Sequence, residues 1–241
     1  YFGYPQNIEK FIEFCKSKNL YLIEDNAHGY GGKINGKLLG TFGDIGITSP
    51  RKNLDCYSGG LLYINNKDIN FQKVILKSYK VSFKEKIILN INKNLPKLKN
   101  NFLKLLKSRL PYENPYFFKE SEIDDFCIDN KSSNIIANYD INKLRDLRIN
   151  NYYKIKNFLE KNNLEAIYKK INQDCIPWCF PVYAKDNTDA IKWFDWGWKK
   201  NITVFSWPTL PSEMLNNKLV YNKWEKLICF SLNNSFENLE R

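Results

Sequence analysis

Four side chains capable of acid, base or nucleophilic chemistry follow two apolar segments in the first quarter of the chain. In "YLIEDNAH" the apolar run is followed by Asp25 and then by His28, and "IGITSPRK" ends with Ser49 and Lys52. Such runs are typical of buried strands, and the carboxyl ends of parallel strands meet at one edge of a sheet. If the two strands are neighbours, a carboxylate, an imidazole, a hydroxyl and an amine converge there.

This set of groups suits pyridoxal 5'-phosphate. A lysine amine can bind its aldehyde as a Schiff base, a carboxylate can keep its pyridine nitrogen protonated, and donors are needed for its phosphate and ring oxygen. Ordinary structural roles remain open as well. Asp25 could cap a turn and His28 could pack in a loop. Ser49 could bond the turn backbone, Lys52 could be a solvated loop lysine, and Gly59–Gly60 indicates only a relaxed entry into the next strand.

The elements that must position these residues alternate as in an α/β protein. A helix is predicted over 7–18, with Asn7 as its N-cap, and a mostly helical stretch is predicted from Lys67. A later helix, 140–162, should bury Leu144, Leu147, Tyr152, Ile155, Phe158 and Leu159. Strands are predicted within 19–26, 45–49, 59–66, 175–184, 202–208 and 226–233, a hairpin at "INGK", and a further helix over 189–201. The early strands show little alternation of apolar and polar residues, which indicates a sheet covered on both faces.

Composition narrows the class of protein. The 241 residues are 43% apolar, which favours a folded chain. No run of about 18 apolar residues and no signal peptide is evident, so we predict a cytoplasmic protein without stable membrane insertion. Cys175 and Cys179 are close enough to suggest a metal, but the single histidine is far away, so we predict buried thiols and no metal. A net charge of +11 favours anionic partners. The basic stretch 92–110 predicts an amphipathic helix that could rest on a membrane surface, a partner or the core.

Residues 1–66 also carry a family resemblance. The segment "YLIEDNAHGYGGKINGKLLGTFGDIGITSPRKNLDCYSGGLLYINN" is similar to the core of the DegT/StrS family of pyridoxal-phosphate-dependent, fold type I sugar aminotransferases. The acidic pair, "GDIG", the serine, the lysine and the glycine pair follow that family's order, and "VFSWPTLPSEML" with "LICFSLNN" resembles its small C-terminal domain. The resemblance implies an α/β fold: residues 1–90 form part of the large domain, a mostly parallel sheet with helices on both faces. Residues 91–130 connect it to a small α+β domain at 131–241.

The resemblance implies a role for each candidate residue. Lys52 would bind the cofactor covalently and move the substrate proton, and Asp25 would pair with the pyridinium nitrogen. His28 would contact the ring oxygen or ring edge, and Ser49 would bind the phosphate. The implied reaction transfers an amino group from an amino acid, Glu or Gln, to a keto sugar linked to a nucleotide, in surface-glycan biosynthesis by a homodimer. Relatives that perform dehydration usually have His at the lysine position, so Lys52 favours transamination.

Two departures from the family pattern keep alternatives open. "SPRK" is compressed relative to most relatives, and "YSGG" stands where "GEGG" is usual. A protein that keeps the fold for binding or regulation without turnover is one alternative, and a transaminase for a small keto-phosphate is another. Nucleic-acid binding is disfavoured, because no zinc-finger or RNA-binding motif accompanies the charge. In the resembled family the large domain begins well before the equivalent of Tyr1, so we expect this chain to lack that N-terminal part.

Overall fold

The structure is a computed structural model that describes residues 1–72, 76–84, 86–87, 112, 126–164, 166–207, 210–233, 236 and 239. Two compact units interleave along the sequence. The first unit comprises Tyr1–Asn90, Asp124–Ile149 and Ile171–Trp178, and the second comprises Ile91–Ile123, Asn150–Lys170 and Cys179–Arg241. The domain division at residues 90 and 130 stays a prediction, and the basic stretch 92–110 lies outside the described residues.

A three-stranded sheet organises the first unit. Strand β1 (Ile23–Asn26) pairs in parallel with β4 (Ile45–Thr48), which pairs antiparallel with β5 (Leu61–Ile64). Between β1 and β4, β2 (Lys33–Ile34) and β3 (Lys37–Leu38) form the predicted hairpin, and a short parallel pair joins β6 (Lys77–Ser78) to β7 (Phe126–Cys127). The α/β class is confirmed, although the described part of this sheet is mixed.

The two faces of this sheet differ in exposure. Glu24 of β1 and Gly46 and Thr48 of β4 are buried on one face. The other face is exposed at Ile23 (62%) and at Leu62 (46%). Among the described residues, therefore, the predicted cover is present on one face and is incomplete on the other.

Among the described residues, three helices of at least nine residues belong wholly or partly to the first unit. Helix α1 (Ile8–Ser17) begins directly after Asn7, as predicted. Helix α2 (Asn130–Asn138), which the sequence did not predict, begins after Asp129, whose carboxylate accepts the Ser132 N–H. Helix α3 (Ile141–Lys161) continues into the second unit and confirms the predicted long helix.

The second unit contains an antiparallel sheet in the order β8–β10–β9, formed by Cys179–Tyr183, Leu227–Ser231 and Val204–Ser206. Helix α4 (Asn187–Lys200) is capped by Asp186, which accepts the Asp189 N–H, and it ends at Asn201 in the left-handed region (φ 59°). Short helices α5 (Ser212–Leu215) and α6 (Lys218–Trp224) precede β10. The core is aromatic, and Trp193 and Phe230 meet edge to face with ring centroids 6.0 Å apart.

The structure corrects the predictions for the stretch from Lys67 and for Leu147, and it confirms the burial of other residues. The predicted helical stretch does not begin at Lys67: among the described residues, 67–72 and 76–82 contain no helix and Lys77–Ser78 is a strand, whereas 83–84 and 86–87 are helical. Leu147 is 46% exposed rather than buried, since it lies at the margin of the buried stripe of α3 and Arg148 occupies the buried position beside it. The other five predicted core residues of α3 are buried, as are the free thiols of Cys175 and Cys179.

Candidate functional site

Lys52 lies in a tight turn at the carboxyl end of β4. The 3₁₀ turn Pro50–Lys52 begins with a proline, whose fixed φ suits the first position of a helical turn. The Lys52 N–H donates to the Ser49 carbonyl at 3.1 Å, and the Leu54 N–H donates to the Pro50 carbonyl at 2.8 Å. Leu54 is buried in a cluster with Tyr30, so the core holds the turn that presents Lys52.

Asn53 joins this turn to the loop that carries His28. Asn53 is only 5% exposed, and its side-chain amide donates to the His28 carbonyl at 3.2 Å. The loop of His28 follows β1, and β1 is the parallel neighbour of β4 in the register Asn26↔Thr48. The expectation that the two strand ends are adjacent is therefore confirmed.

The His28 ring is fixed by a hydrogen bond and by stacking. Its Nδ1 accepts the Phe2 N–H at 3.1 Å, which requires an unprotonated Nδ1 and places the proton of the neutral ring on Nε2. The imidazole stacks on Trp178, with centroids 4.6 Å apart and an interplanar angle of 25°. The Trp178 N–H in turn donates to the Phe2 carbonyl at 2.8 Å, which closes a small frame around the histidine.

A close backbone approach makes this frame possible. Gly3 has φ +87°, and a Cβ built there would lie 2.4 Å from the Ile176 carbonyl oxygen and 2.7 Å from the Trp178 nitrogen. Only a residue without a side chain fits such an approach. Gly3 therefore lets the Phe2 backbone reach both His28 and Trp178.

Charge and burial couple His28, Lys52 and Asp25. Burial and then the positive charge of Lys52 lower the pKa of His28 from 6.5 to about 4, and Asp25 opposes this change. Burial and then Arg51 lower the pKa of Lys52, again against Asp25. The Lys52 Nζ lies 5.4 Å from the centroid of the Trp178 ring, within the range of a cation–π contact.

Asp25 and Ser49 occupy the strand ends, as the sequence predicted. Asp25 is exposed at the end of β1, and its Oδ1 accepts the Ala27 N–H at 3.0 Å. It thus has the turn-capping role considered above and also acts electrostatically on Lys52 and His28. Ser49 is half-buried, directly after β4 and before the 3₁₀ turn. The roles of all four residues toward a cofactor stay predictions.

The other acidic residue of "IED" serves the fold. Glu24 is buried, and its carboxylate accepts the N–H groups of Gly40 (2.9 Å), Gly43 (2.6 Å) and Phe42. This binds the loop before β4 to β1. A Cβ on Gly46 would lie 1.8 Å from the Gly40 carbonyl oxygen, so the same loop also requires a glycine in β4.

The unusual "YSGG" segment is fixed against the start of α2. The Ser58 hydroxyl donates to Asp129 Oδ2 at 2.8 Å, and the Tyr57 N–H donates to the Ser132 hydroxyl at 2.8 Å. Gly59 has φ +117°, and a Cβ there would lie 2.6 Å from Ile128 Cδ1. The serine that departs from the family pattern is therefore part of a hydrogen-bond network that anchors the chain leaving the Lys52 turn.

Sequence reasoning missed Trp178 and Asn53. Asn53 lies next to Lys52, and its burial beside a polar loop gave no local signal. Trp178 comes from the loop before β8, far along the chain, and "CIPWC" has no periodicity that would point to a site. A tryptophan this close to a histidine and a lysine is visible only once the chain is folded.

The fold is similar to that of a known aminotransferase and of a dehydratase solved with bound PLP. Helicobacter pylori PseC, an aminotransferase involved in the biosynthesis of pseudoaminic acid, superposes with a TM-score of 0.58 over 96% of this chain and 59% of its own, at 12% identity. Escherichia coli GDP-4-keto-6-deoxy-D-mannose-3-dehydratase with bound hydrated PLP gives a TM-score of 0.53 over 95% of this chain and 60% of its own, at 12% identity.

Sequence comparison shows which family the first part of the chain resembles. Residues 1–98 match the model of the DegT/DnrJ/EryC1/StrS aminotransferase family, which confirms the resemblance predicted from the residues. GDP-perosamine synthase of Escherichia coli O157:H7 is 40% identical over 70 residues, 28% of this chain and 19% of that protein. The match thus spans about a fifth of this curated relative, and the whole chain spans about three fifths of the two solved structures.

Within the described ranges, no helix has both the length and the apolar character needed to cross a bilayer.

Proposed function

We propose that this chain carries the cofactor-binding part of a pyridoxal-phosphate-dependent aminotransferase that transfers an amino group to a keto sugar linked to a nucleotide. The observation that carries the proposal is the placement of Lys52, His28 and Asp25 at two adjacent strand ends, where Lys52 and Asp25 affect the protonation of His28 and Asp25 affects that of Lys52. Perturbed titratable groups gathered at one sheet edge are typical of an active site.

The residues fit the cofactor by their chemistry. Lys52 offers a primary amine whose pKa is lowered by burial, so more of it is in the nucleophilic, neutral form than in a solvated lysine. Asp25 retains a carboxylate oxygen beyond the one that accepts the Ala27 N–H, and this oxygen can accept a hydrogen bond from a protonated ring nitrogen. When bound, pyridoxal phosphate supplies an electron sink for the carbon that loses a proton.

His28 and Ser49 supply donors. With Nδ1 engaged by the Phe2 N–H, the neutral imidazole of His28 has its proton on Nε2, where it can be donated to an anionic oxygen. The half-buried Ser49 hydroxyl, at the end of β4, can donate to a phosphate. The neutral Lys52 amine can accept a proton from a substrate carbon and later donate it to a carbon of the cofactor, which is the acid–base work of a transamination.

The substrate class rests on the relatives and on charge. The sugar-nucleotide names among the relatives support a nucleotide-linked keto sugar, and a net charge of +11 favours the approach of a diphosphate. The amino-acid donor, Glu or Gln, the role in surface-glycan biosynthesis and a homodimeric assembly are part of the proposal by family resemblance. A small keto-phosphate acceptor is the alternative within the same chemistry.

Borohydride trapping tests the assignment of Lys52. The purified protein is incubated with pyridoxal phosphate, reduced, digested and mapped by mass spectrometry. We expect the pyridoxyl mass on Lys52 in the unaltered protein and in Lys37→Arg, and its loss in Lys52→Arg, which keeps the positive charge. Labelling at another lysine would refute the assignment. Labelling of Lys52 without exchange of the amino group from Glu or Gln would favour the alternative of a fold kept for binding or regulation.

A further inference from the structure

Trp178 contacts both titratable groups that the proposed chemistry uses. Its ring stacks on the His28 imidazole at 4.6 Å and lies 5.4 Å from the Lys52 ammonium nitrogen. Neither contact involves residues close in sequence to Trp178, so both depend on the fold of the first unit.

The backbone of Trp178 is held from two sides. Its N–H donates to the Phe2 carbonyl at 2.8 Å, and its carbonyl accepts from Arg148 Nη1 at 2.7 Å. Arg148 is fully buried in α3, so the indole is positioned by the core and not by a mobile surface segment. The Trp178 side chain itself remains half-buried and thus borders the space beside His28 and Lys52.

We propose that Trp178 is a positioning residue of the cofactor site, which keeps the His28 ring in its neutral, Nε2-protonated form and holds the Lys52 amine beside it. This inference rests on the proposed function and adds a residue that neither the motif nor the family pattern contains. The physical basis is that one aromatic face excludes water from the imidazole while its electron-rich surface attracts the lysine.

The side-chain charges that act on His28 are those of Lys52 and Asp25. The Lys52 charge disfavours a second proton on the ring, and Asp25 favours it. Removal of the indole exposes the ring to water and frees Lys52 to move away, and both changes raise the pKa of His28.

The test measures the titration of His28 by NMR. Because His28 is the single histidine of the sequence, its ring resonances need no further assignment. We expect a midpoint of about 4 in the unaltered protein and in Trp198→Leu, a control at a more exposed tryptophan in the second unit. Trp178→Leu should raise the midpoint by about one unit or more, and Trp178→Phe, which keeps an aromatic face, by less than about half of that change.

A double-mutant cycle tests the part of the inference that concerns Lys52. Lys52→Met removes a positive charge and should raise the His28 midpoint by about half a unit or more. In the Trp178→Leu background the same substitution should have a smaller effect, because Lys52 is no longer held beside the ring. Equal effects in both backgrounds would overturn this part of the inference.

The outcomes separate the inference from the proposed function. A His28 midpoint near 6.5 in the unaltered protein, or an unchanged midpoint in Trp178→Leu, would overturn the role of Trp178 even if Lys52 is labelled by the cofactor. Absence of label on Lys52 in the unaltered protein would refute the proposed function whatever the titration shows. If Trp178→Leu fails to fold, Trp178→Phe takes its place both in the His28 titration and as the second background for Lys52→Met.

Discussion

Acidification should destabilise this protein through His28, and the effect can be isolated with one substitution. His28→Gln leaves a chain without any histidine, so it removes this titration completely. Gln is also a polar residue of similar reach. The quantity of interest is the difference in unfolding free energy between the unaltered protein and His28→Gln, measured as a function of pH.

The sign follows from the direction of the pKa change. The folded protein binds a proton on His28 with a pKa of about 4, and the unfolded chain binds it near the ordinary value of 6.5. Between these values the unfolded state binds more protons, so stability rises with pH and is lost as pH falls from about 6.5 to about 4. Protonation also breaks the hydrogen bond from the Phe2 N–H, because Nδ1 then becomes a donor.

The magnitude is limited by exposure. The difference between the two pKa values corresponds to roughly 3 kcal/mol if it is fully realised. Because the imidazole is only half-buried, solvent screens part of the interaction with Lys52, and a contribution of about 1–2 kcal/mol is the reasonable expectation. The difference between the two proteins should therefore shrink by that amount between pH 7 and pH 4.

Urea unfolding at several pH values measures this directly. Both proteins are unfolded at pH 7, 6, 5 and 4, and the difference in free energy is plotted against pH. All carboxylates titrate in both proteins, so their effects cancel. A difference that is constant to within about 0.3 kcal/mol across this range would refute the placement of a neutral, partly desolvated His28 beside Lys52.

Three further predictions concern the scaffold of the site. Gly59→Ala should destabilise the protein by about 2–4 kcal/mol, because φ is +117° and the new methyl group would meet a neighbouring isoleucine side chain. Gly60→Ala is the control: its Cβ would lie 3.5 Å from its nearest contact, so its unfolding free energy in the same urea assay should differ by less than about 0.5 kcal/mol. Glu24→Gln should cost about 3 kcal/mol or more, since a neutral amide replaces a buried carboxylate that accepts three N–H groups; a loss below about 1 kcal/mol would contradict that hydrogen-bond pattern. Replacing both Ile47 and Leu62 by Thr should reduce self-association, measured by sedimentation velocity, without loss of stability, because the two side chains are 40% and 46% exposed on one sheet face. Unchanged sedimentation would show that this face does not mediate association.

Local sequence patterns predicted those parts of the site that local chemistry determines. A segment that ends in "IED" and another that ends in "ITS", each followed by turn-forming residues, predicted that Asp25 and Lys52 lie at adjacent strand ends if the two strands are neighbours, and the strands are neighbours. The apolar periodicity of α3 predicted five of its six named core residues, because a stripe with helical spacing must face the core.

Long-range contacts explain what the sequence did not predict. Trp178 reaches His28 because Gly3 allows the Phe2 backbone to approach residues 176–178, and no local pattern encodes that approach. Arg148 is buried because the Trp178 carbonyl accepts its guanidinium proton, and this displaces Leu147 to the exposed margin of α3. The short strand Lys77–Ser78 depends on pairing with Phe126–Cys127, so its own sequence favoured the wrong element.

The departures from the family pattern favour a fold kept without turnover, whereas the residues with lowered pKa favour a working active site. The contribution of each feature to stability helps to decide between them. Ser58 in "YSGG" donates to Asp129 and so contributes to stability, as expected of a residue kept for the fold. Lys52 and His28 do the opposite: burial lowers the pKa of both, and the positive charge of Lys52 disfavours protonation of His28. A turn needs neither a half-buried lysine nor a neutral histidine, and a solvated polar residue at either position would avoid the cost. Destabilising arrangements of this kind are typical of functional sites, where a low-pKa amine and a fixed imidazole donor are useful chemistry. The loss of stability at Lys52 and His28 therefore supports a working active site. Because Ser58 has a structural role, its departure from the family pattern is no longer a strong reason to infer a fold kept without turnover.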